Sequence, residues 1–285
     1  MAQPGIDFHT HPLLVREMIA RHPDLARAAR ETFYIGNNFQ PLESFLLELD
    51  IAGLEKAVIL PIDATTSRNA TVYTNEQIAE VCKMSPRLVG FASVDPHHPD
   101  APEQLREAVT EFGLCGLKLA PAMQQFYADD HTVYPIYETA RDLGIPILFH
   151  AGMSWEPASR LQYGQPIQFE NVAADFPELS IVLAHLAWPW VTEAVALALK
   201  YPNVHLDTSA LYFDNPRDFL RYAMTHVVPL TVFERSLRKQ IVFGSNYPRV
   251  EIKNMAAAVR GLGLSDECLD LVFRGNAERL LGGVR

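Results

Sequence analysis

The sequence contains little cysteine, no excess of basic residues and no hydrophobic run long enough to cross a membrane. Its three cysteines, Cys82, Cys115 and Cys268, lie far apart and are odd in number, which argues against a disulfide framework. Asp and Glu number 34 against 24 Lys and Arg, and the resulting net charge of −10 disfavours nucleic-acid binding. The first residues do not resemble a signal peptide, and no apolar run approaches the roughly 18 residues of a membrane span. We therefore expect a cytoplasmic protein without nucleic-acid or membrane partners.

Short apolar runs that end in polar, Gly or Pro residues recur along the whole chain, and they predict buried strands of a parallel sheet. Amphipathic stretches between them, such as 75–83, 101–112 and 133–143, predict helices that cover the sheet. Gly144 follows the last of these and predicts a helix end just before the next strand. The eight predicted strands are Ile6–His11, Lys56–Pro61, Arg87–Pro96, Gly116–Pro121, Pro146–Gly152, Ser180–Trp188, Val204–Ala210 and Ile241–Pro248.

Eight alternating strand and helix units predict an α/β fold, a (β/α)₈ TIM barrel, with residues 1–285 forming a single domain. A doubly wound sheet is the alternative, but it needs a Gly-rich turn after the first strand, where this chain has HTHP. The first two strands are unusually far apart. The inserted segment, residues 13–40, predicts a cap over the barrel mouth that serves either as a lid or as a contact in a homodimer.

Four of the ten histidines lie at the carboxyl ends of predicted strands: His9 and His11 on the first, His150 on the fifth and His185 on the sixth. In a TIM barrel these strand ends meet at one mouth. His9 and His11 are two residues apart and therefore point to the same face of their strand. Two imidazoles on one strand and a third across the barrel predict a metal site, since neutral imidazole binds zinc and other divalent ions.

Other side chains near the predicted mouth are candidates for substrate binding. Lys118 lies on the fourth strand, and Arg249 directly follows the eighth, where it could hold a carboxylate with two parallel hydrogen bonds. Trp155, Trp188 and Tyr212 follow strand ends and could enclose a ring-shaped substrate, although ordinary packing also explains them. Carboxyl and hydroxyl groups near strand ends could line the mouth or simply form turns; they are Asp63, Asp207 and Ser209.

The motifs IDFHTH, GLKL, ILFHAG, VLAHLAW, IVFGSNYP and GNAERLL resemble those of the amidohydrolase superfamily. The resemblance covers nearly the whole chain, and it is to the amidohydrolase-related group that includes aminocarboxymuconate semialdehyde decarboxylase and the resorcylate decarboxylases. It implies one divalent metal, zinc in preference to manganese, bound by His9, His11 and His150. It also implies that His185 acts as an acid and base or polarises the substrate. Lys118 could bridge two metals in some branches of the superfamily, but a single metal is the expectation here.

The chain departs from this family on the eighth strand, where Asn246 replaces the Asp of the usual GSDYP motif. In the family this Asp binds the metal and takes a proton from the attacking water. An amide cannot act as a base near neutral pH, although its oxygen can still bind a metal weakly. Three explanations stay open: an engineered inactivating change, a natural residue with His185 as the base, or a degenerate site.

These residues predict a metal-dependent hydrolase that acts on a small cyclic or carboxylated, anionic molecule through a metal-activated water. In this mechanism His185 stabilises the developing oxyanion or moves the proton. The first alternative keeps the site and changes the reaction to non-oxidative decarboxylation of an aromatic or unsaturated acid. The second alternative is a catalytically impaired barrel that binds a ligand, with Asn246 as its mark.

Overall fold

The computed structural model of the chain describes residues 4–12, 15–32, 34–36, 38–210 and 212–282. Four positions of the predicted cap, Leu13, Leu14, Phe33 and Asn37, lie outside the described residues. In the part that is described, no helix is long and apolar enough to cross a bilayer.

Eight parallel strands form the centre of the molecule, and each of them overlaps one of the predicted apolar runs. Two further short strands, β3 and β4, pair as an antiparallel hairpin that the sequence pattern did not predict. The strands are Gly5–Thr10 (β1), Leu54–Ile59 (β2), Ile62–Ala64 (β3), Ala70–Val72 (β4), Leu88–Gly90 (β5), Leu117–Leu119 (β6), Ile147–Phe149 (β7), Ile181–Leu183 (β8), Val204–Asp207 (β9) and Ile241–Val242 (β10).

The parallel strands close into a barrel. β1, β2 and β5 form one sheet, and β6 to β10 form another in which neighbours in sequence pair in parallel. Ala92 joins the sheets on one side, because it pairs with Leu117 and its amide donates to the Gly116 carbonyl at 2.7 Å. On the other side, the Phe8 amide donates to the Phe243 carbonyl at 2.8 Å. This ring confirms the predicted TIM barrel; the assignment of residues 1–285 to one domain stays a prediction.

Helices surround the barrel and bury one face each against the strands. α5 begins at a capping box, in which Thr74 accepts from the Gln77 amide and the Gln77 side chain accepts from the Thr74 amide. Short 3₁₀ or π-helical turns cover Ala28–Thr32, His131–Val133, Leu161–Gly164, Ala184–Ala187, Tyr222–Val227, Val232–Ser236 and Leu271–Gly275. The α-helices are Arg16–Arg21 (α1), Asp24–Arg27 (α2), Leu42–Ala52 (α3), Thr65–Arg68 (α4), Asn75–Lys83 (α5), Ala101–Thr110 (α6), Pro121–Gln124 (α7), Tyr134–Asp142 (α8), Ile167–Asp175 (α9), Val191–Lys200 (α10), Pro216–Arg221 (α11), Ile252–Arg260 (α12), Asp266–Asp270 (α13) and Asn276–Leu281 (α14).

Alternation along the strands divides the core into two layers. Side chains such as Ile147, Phe149 and Leu206 point outward into a large cluster beneath the helices. Leu148 and Val182 belong to a smaller cluster that fills the barrel interior. At the carboxyl ends of the strands the inward positions change from apolar to polar residues, and this change places the candidate site at the mouth.

The segment between β1 and β2 contains α1 and α2, and its ends lie together because Val15 pairs with Gln40. One residue of the segment, Ile35, lines the cavity at the barrel mouth. This contact supports a cap at the mouth, but the cap stays a prediction.

Candidate functional site

A cavity of about 50 Å³ lies at the barrel mouth. Its walls bring together most of the site residues predicted from the sequence, from five strands and the loops that follow them. Trp188 and Tyr212 are not among the described residues that line it. The predicted residues that do are His9, His11, Lys118, His150, Trp155, His185, Asn246 and Arg249.

His9 on β1 and His11 directly after β1 face each other at the cavity, with 3.1 Å between their Nε2 atoms. His9 Nδ1 lies 2.7 Å from Asp207 Oδ2, and His11 Nδ1 lies 2.8 Å from the Leu60 carbonyl oxygen. Because both partners only accept, each Nδ1 carries a proton. Burial holds the pKa of His9 and of His11 well below the usual range, with Lys118 adding to the effect in both. Both rings are therefore neutral near pH 7, and two Nε2 lone pairs point at each other.

A divalent cation fits these facing lone pairs. Two nitrogen ligands of one tetrahedral zinc ion lie about 3.3 Å apart, close to the separation of His9 Nε2 and His11 Nε2. Without a cation, two acceptors at this distance repel each other. His9, His185 and Asp207 also form a buried group whose potential ligand atoms lie within 4.8 Å of one another. The described residues thus offer a donor set for a metal centred on His9.

Asp207, at the end of β9, accepts hydrogen bonds that hold the two sides of the site together. Its Oδ2 accepts from His9, and its Oδ1 accepts from the His185 amide at 2.8 Å and from the Ser209 amide at 3.0 Å. The Ser209 hydroxyl also donates to Oδ1. Both oxygens are thus engaged by protein donors. This pattern is typical of a carboxylate that orients a metal-binding histidine rather than one that binds the metal itself.

His185 is held by Ser209 in one tautomer. Ser209 Oγ donates its proton to Asp207 and therefore accepts from His185 Nδ1, 2.8 Å away. The His185 Nε2 is then left as an acceptor. Burial lowers the pKa of His185 well below the usual range, and His150 and His9 add to this effect. The ring centroids of His9 and His150 lie 4.9 and 4.8 Å from that of His185, which places it between the two proposed ligands.

His185 also begins a strained turn. His185, Leu186 and Ala187 have φ values of 60°, 48° and 50°, in the left-handed region. Such residues cost roughly 1–2 kcal/mol each. The bond from the His185 amide to Asp207 and the bond from the Trp188 amide to the His185 carbonyl at 3.0 Å offset this cost. The turn directs the His185 ring into the cavity from the end of β8.

The loop after β7 packs against this turn through a glycine. A Cβ atom at Gly152 would lie 2.2 Å from the Trp188 carbonyl oxygen, and the φ of Gly152 is +84°. The Met153 amide donates to the Trp188 carbonyl at 2.8 Å. His150 Nε2 in turn donates to the Met153 carbonyl at 3.0 Å, so its Nδ1 is the acceptor nitrogen. Burial lowers the pKa of His150 to about 4.

Asn246, at the position of the family's Asp, makes contacts that are specific to an amide. Its Nδ2 donates to the Ala210 carbonyl at 3.2 Å, and its backbone amide donates to the His9 carbonyl at 2.8 Å. Its φ of 63° is a left-handed conformation that Asn adopts more readily than most residues. Since the amide nitrogen faces Ala210, Oδ1 is the side-chain atom left for a metal or a substrate.

Two basic side chains, Lys118 and Arg249, lie in the cavity wall. Lys118 is 1% exposed, and its Nζ has no hydrogen-bond partner among the described residues. Burial lowers the pKa of Lys118 to about 7, against an opposing effect of Asp207. The Arg249 guanidinium lies 4.0 Å from Glu156 Oε1. Burial lowers the pKa of Arg249 as well, and Glu156 opposes that shift.

Aromatic side chains form a wall beside the site. Trp188 stacks on Tyr212 with a centroid distance of 4.7 Å, and the Tyr212 ring lies 6.0 Å from that of His185. The Tyr212 hydroxyl donates to the Met153 carbonyl. Trp155 is 54% exposed and lines the cavity from the loop after β7. Substrate contacts of Trp155, Trp188 and Tyr212 stay predictions.

Sequence reasoning undervalued three polar residues of the site. Asp207 ends β9 and Ser209 lies two residues later, and the sequence predicts for them only that they could line the mouth or form turns. Their spacing of two residues at a strand end was the signal, because it places both side chains on the inner face. Glu156 lies in an irregular loop after β7, where no periodic pattern indicates the direction of a side chain.

The chain belongs to the amidohydrolase family, whose members share this barrel: residues 6–283 match the family. This match confirms the resemblance that the motifs carry. The chain is therefore an enzyme of the amidohydrolase superfamily.

Three curated relatives share parts of the sequence. The 2-keto-4-carboxy-3-hexenedioate hydratase of Sphingobium sp. is 26% identical over 251 residues, which cover 72% of this chain and 69% of the hydratase. The 2-amino-3-carboxymuconate-6-semialdehyde decarboxylase of Dictyostelium discoideum is 29% identical over 133 residues, 40% of this chain and 36% of that protein. Protein fluG of Emericella nidulans is 33% identical over 67 residues, 24% of this chain and 8% of fluG. The chain thus matches well under two thirds of two of these three relatives.

Solved structures share the fold over the whole chain. An uncharacterised TIM-barrel protein from Bordetella bronchiseptica has a TM-score of 0.76 at 24% identity and covers 99% of both chains. The 2,6-dihydroxybenzoate decarboxylase from Rhizobium has a TM-score of 0.66 at 16% identity and covers 98% of this chain and 99% of its own. The 5-carboxyvanillate decarboxylase from Novosphingobium aromaticivorans, solved with manganese and 4-hydroxy-3-methoxy-5-nitrobenzoic acid, has a TM-score of 0.67 at 15% identity, covering 98% and 96%. At these identities the likeness confirms the fold.

Proposed function

We propose that the protein is a metal-dependent, non-oxidative decarboxylase of a small aromatic or unsaturated carboxylic acid. One observation carries the proposal: the cavity combines two facing imidazole acceptors with a buried proton carrier, but offers no carboxylate base at the end of the eighth barrel strand. Loss of CO₂ needs a proton delivered to carbon, whereas hydrolysis needs a proton removed from water. The decarboxylases among the relatives and solved structures support this reaction over the hydrolase prediction.

His9 Nε2, His11 Nε2 and the acceptor nitrogen of His150 would hold the metal, with Asn246 Oδ1 as a weaker ligand. Imidazole ligands suit zinc, and manganese is the alternative because a decarboxylase of the same fold was solved with it. When bound, a divalent ion supplies Lewis-acid chemistry and an anchor for a carboxylate. Asp207 keeps His9 in the tautomer that presents Nε2 to the cavity.

His185 carries the proton in this proposal. Its Nε2 takes a proton from an acidic group of the substrate or from solvent, and it returns the proton to the carbon that loses CO₂. Because burial lowers the pKa of His185, its protonated form is a strong acid and an effective donor. Ser209 fixes the ring so that Nε2, and not Nδ1, faces the cavity.

Addition of water to a carbon–carbon double bond is the second candidate. The relative that matches the longest part of this chain is a hydratase. The same residues serve that reaction, with His185 Nε2 taking the proton from water. Since Asn246 cannot share this task, decarboxylation stays the first proposal.

The decisive experiment measures metal content and product formation together. We expect about one equivalent of zinc or manganese per chain, and CO₂ release from at least one member of a panel of aromatic and unsaturated carboxylic acids. His185→Asn should lower kcat by about a hundredfold or more while the metal is retained. His226→Asn, at an exposed histidine, is the matched control and should leave kcat unchanged.

Three outcomes would redirect the proposal. A hydrated product without CO₂ establishes the hydratase, and cleavage of esters, lactones or amides establishes the hydrolase. Protein that holds no stoichiometric metal and turns over nothing on any panel is the catalytically impaired barrel.

A further inference from the structure

The cavity places two cations at different depths. Lys118 projects from the middle of β6 into the barrel, beneath the mouth. Arg249 follows β10 and lies farther out, because it lines both the inner cavity and an outer cleft of about 290 Å³. Among the described lining residues of the inner cavity, Glu156 is the only carboxylate. With a divalent metal added, the walls carry a clear excess of positive charge.

The inner cation lacks a partner. Lys118 Nζ is buried without a hydrogen bond to any described residue, and an unpaired buried amine or ammonium costs free energy. An acidic group that enters the inner cavity supplies the missing acceptors and removes this cost. Asp207 acts on Lys118 only from a distance, since its oxygens accept from His9, His185 and Ser209. The neighbouring imidazoles are neutral and do not compete for that acidic group near neutral pH.

The outer cation is oriented by the protein. The Arg249 amide donates to the Asn246 carbonyl at 2.9 Å, which fixes the backbone beside the cavity. The guanidinium lies near Glu156, whose Oε2 accepts from the Ser154 hydroxyl. One guanidinium has five N–H donors and can contact Glu156 and a second carboxylate together. The outer cleft beside it is lined by Tyr34, Trp155 and Pro157.

The arrangement of the two spaces sets the shape of a ligand that contacts both Lys118 and Arg249. The inner cavity of about 50 Å³ and the outer cleft of about 290 Å³ adjoin, because Trp155 and Arg249 line both. A ligand that reaches both basic side chains therefore extends from the inner cavity into the outer cleft. We infer that the substrate is an elongated dianion, with one acidic group beside Lys118 and the metal site and the second beside Arg249. The inference rests on the proposed function only in taking the inner cavity as the reacting site.

Calorimetric titration of the metal-loaded protein with trans,trans-muconate and with sorbate tests this inference. The two ligands share a six-carbon diene, but sorbate has a methyl group where muconate has its second carboxylate. We expect muconate to bind about tenfold more tightly. Arg249→Met should reduce that ratio to less than about threefold while sorbate affinity stays unchanged. Lys118→Met should weaken both ligands by a similar factor, because both place a carboxylate in the inner cavity.

Matched variants separate charge from folding. Arg249→Lys keeps the charge and should keep most of the preference for muconate. Arg160→Met removes an exposed arginine of the loop after β7 that does not line the cavity, and it should leave the ratio unchanged. Equal affinities for muconate and sorbate, or a full preference retained in Arg249→Met, would overturn the inference. Because titration needs no turnover, a decarboxylase that binds both acids equally overturns this inference alone. A protein that prefers muconate but releases no CO₂ overturns the proposed function alone.

Discussion

Ser209 contacts the residues that set the protonation of the site. Its hydroxyl donates to Asp207 and accepts from His185 Nδ1, so it determines which nitrogen of His185 faces the cavity. Removing the hydroxyl leaves His185 Nδ1 with only the longer contact to the Ser209 carbonyl oxygen, 3.2 Å away, which holds the ring less firmly. At this scale the chemistry depends on single protons, and the hydrogen-bond partners of each ring determine which nitrogen carries the proton.

Ser209→Ala should therefore lower kcat by about tenfold, which corresponds to about 1.4 kcal/mol, with a smaller change in KM. Steady-state kinetics on the acid identified by the panel provides the measurement. Thr208→Ala is the control: it removes the neighbouring buried hydroxyl, which bonds to the Gly244 backbone and not to a histidine. This control should cost stability but leave kcat unchanged. Equal losses of kcat in the two variants would contradict a positioning role for Ser209.

Asn246→Asp should move stability and metal affinity in opposite directions. An ionised carboxylate cannot donate to the Ala210 carbonyl, 3.2 Å from the present amide nitrogen. The metal-free protein should lose about 1–3 kcal/mol of unfolding free energy as a result. The added charge should raise metal affinity by about tenfold or more. Chemical denaturation of the metal-free protein and competition with a chelator measure the two effects. Unchanged metal affinity would remove Asn246 from the proposed ligand set.

The sequence identified most side chains of the site but not their hydrogen bonds. His9, His11, His150 and His185 were predictable because strand ends of a barrel converge and alternate residues share a face. The saturation of both Asp207 oxygens was not predictable, since it depends on the backbone amides of His185 and Ser209. The His185 amide lies in the left-handed turn after β8, and no local pattern in the sequence predicts that turn.

The elements that carry the ligands are fixed against each other by close backbone contacts. The loop after β7 and the turn after β8 meet at Gly152, where the Trp188 carbonyl leaves no room for a side chain. Gly164 packs on the other side, since its own Cβ would lie 2.0 Å from the Gly152 carbonyl oxygen. Two loops that could move independently are thereby held as one surface.

Gly152→Ala should destabilise the protein by about 3 kcal/mol or more, and should also weaken metal binding because His150 and His185 are pushed apart. Gly144→Ala is a matched control. Its φ of +67° imposes a similar backbone strain, but no atom lies within 4 Å of the added Cβ. Gly144→Ala should lower the free energy of unfolding by about 1–2 kcal/mol and leave metal affinity unchanged. Urea denaturation and metal titration of both variants are the measurements, and equal costs would contradict the packing argument.

Helices and strands of the barrel were predicted from the sequence more accurately than irregular turns and short hairpins. Each predicted strand overlaps an observed strand, and α5 spans the predicted residues 75–83. The hairpin of β3 and β4 was not predicted, because its strands, IDA and ATV, mix polar and apolar residues and do not form apolar runs. The turn 185–187 was not predicted either. Its sequence lacks glycine, and the hydrogen bond from the His185 amide to Asp207 on another strand helps to maintain its conformation.

At the scale of the whole molecule, the barrel buries several histidines, although the net charge of the protein is −10. His205 lies on β9, two residues before Asp207, with its Nδ1 3.3 Å from the Asn203 carbonyl. Burial lowers the pKa of His205 to about 4. The pKa values of His9, His11, His150 and His185 are lowered as well, again by burial. Acid should therefore destabilise the protein, because each of these interior histidines takes up a proton more readily in the unfolded chain than in the folded chain.

The contribution of His205 can be isolated. The unfolded chain takes up a proton at this residue near pH 6.5, whereas the folded chain does so only as the pH approaches 4. The stabilisation is therefore complete above pH 6.5 and is lost as the pH falls toward 4, by about 3 kcal/mol in all. His205→Gln removes this titration, so the unfolding free energies of wild type and variant should converge over that range. Denaturant titrations at intervals between pH 7.5 and pH 4 measure the difference. The exposed His226→Gln should run parallel to wild type, and a parallel course for His205→Gln would show that His205 titrates alike in both states.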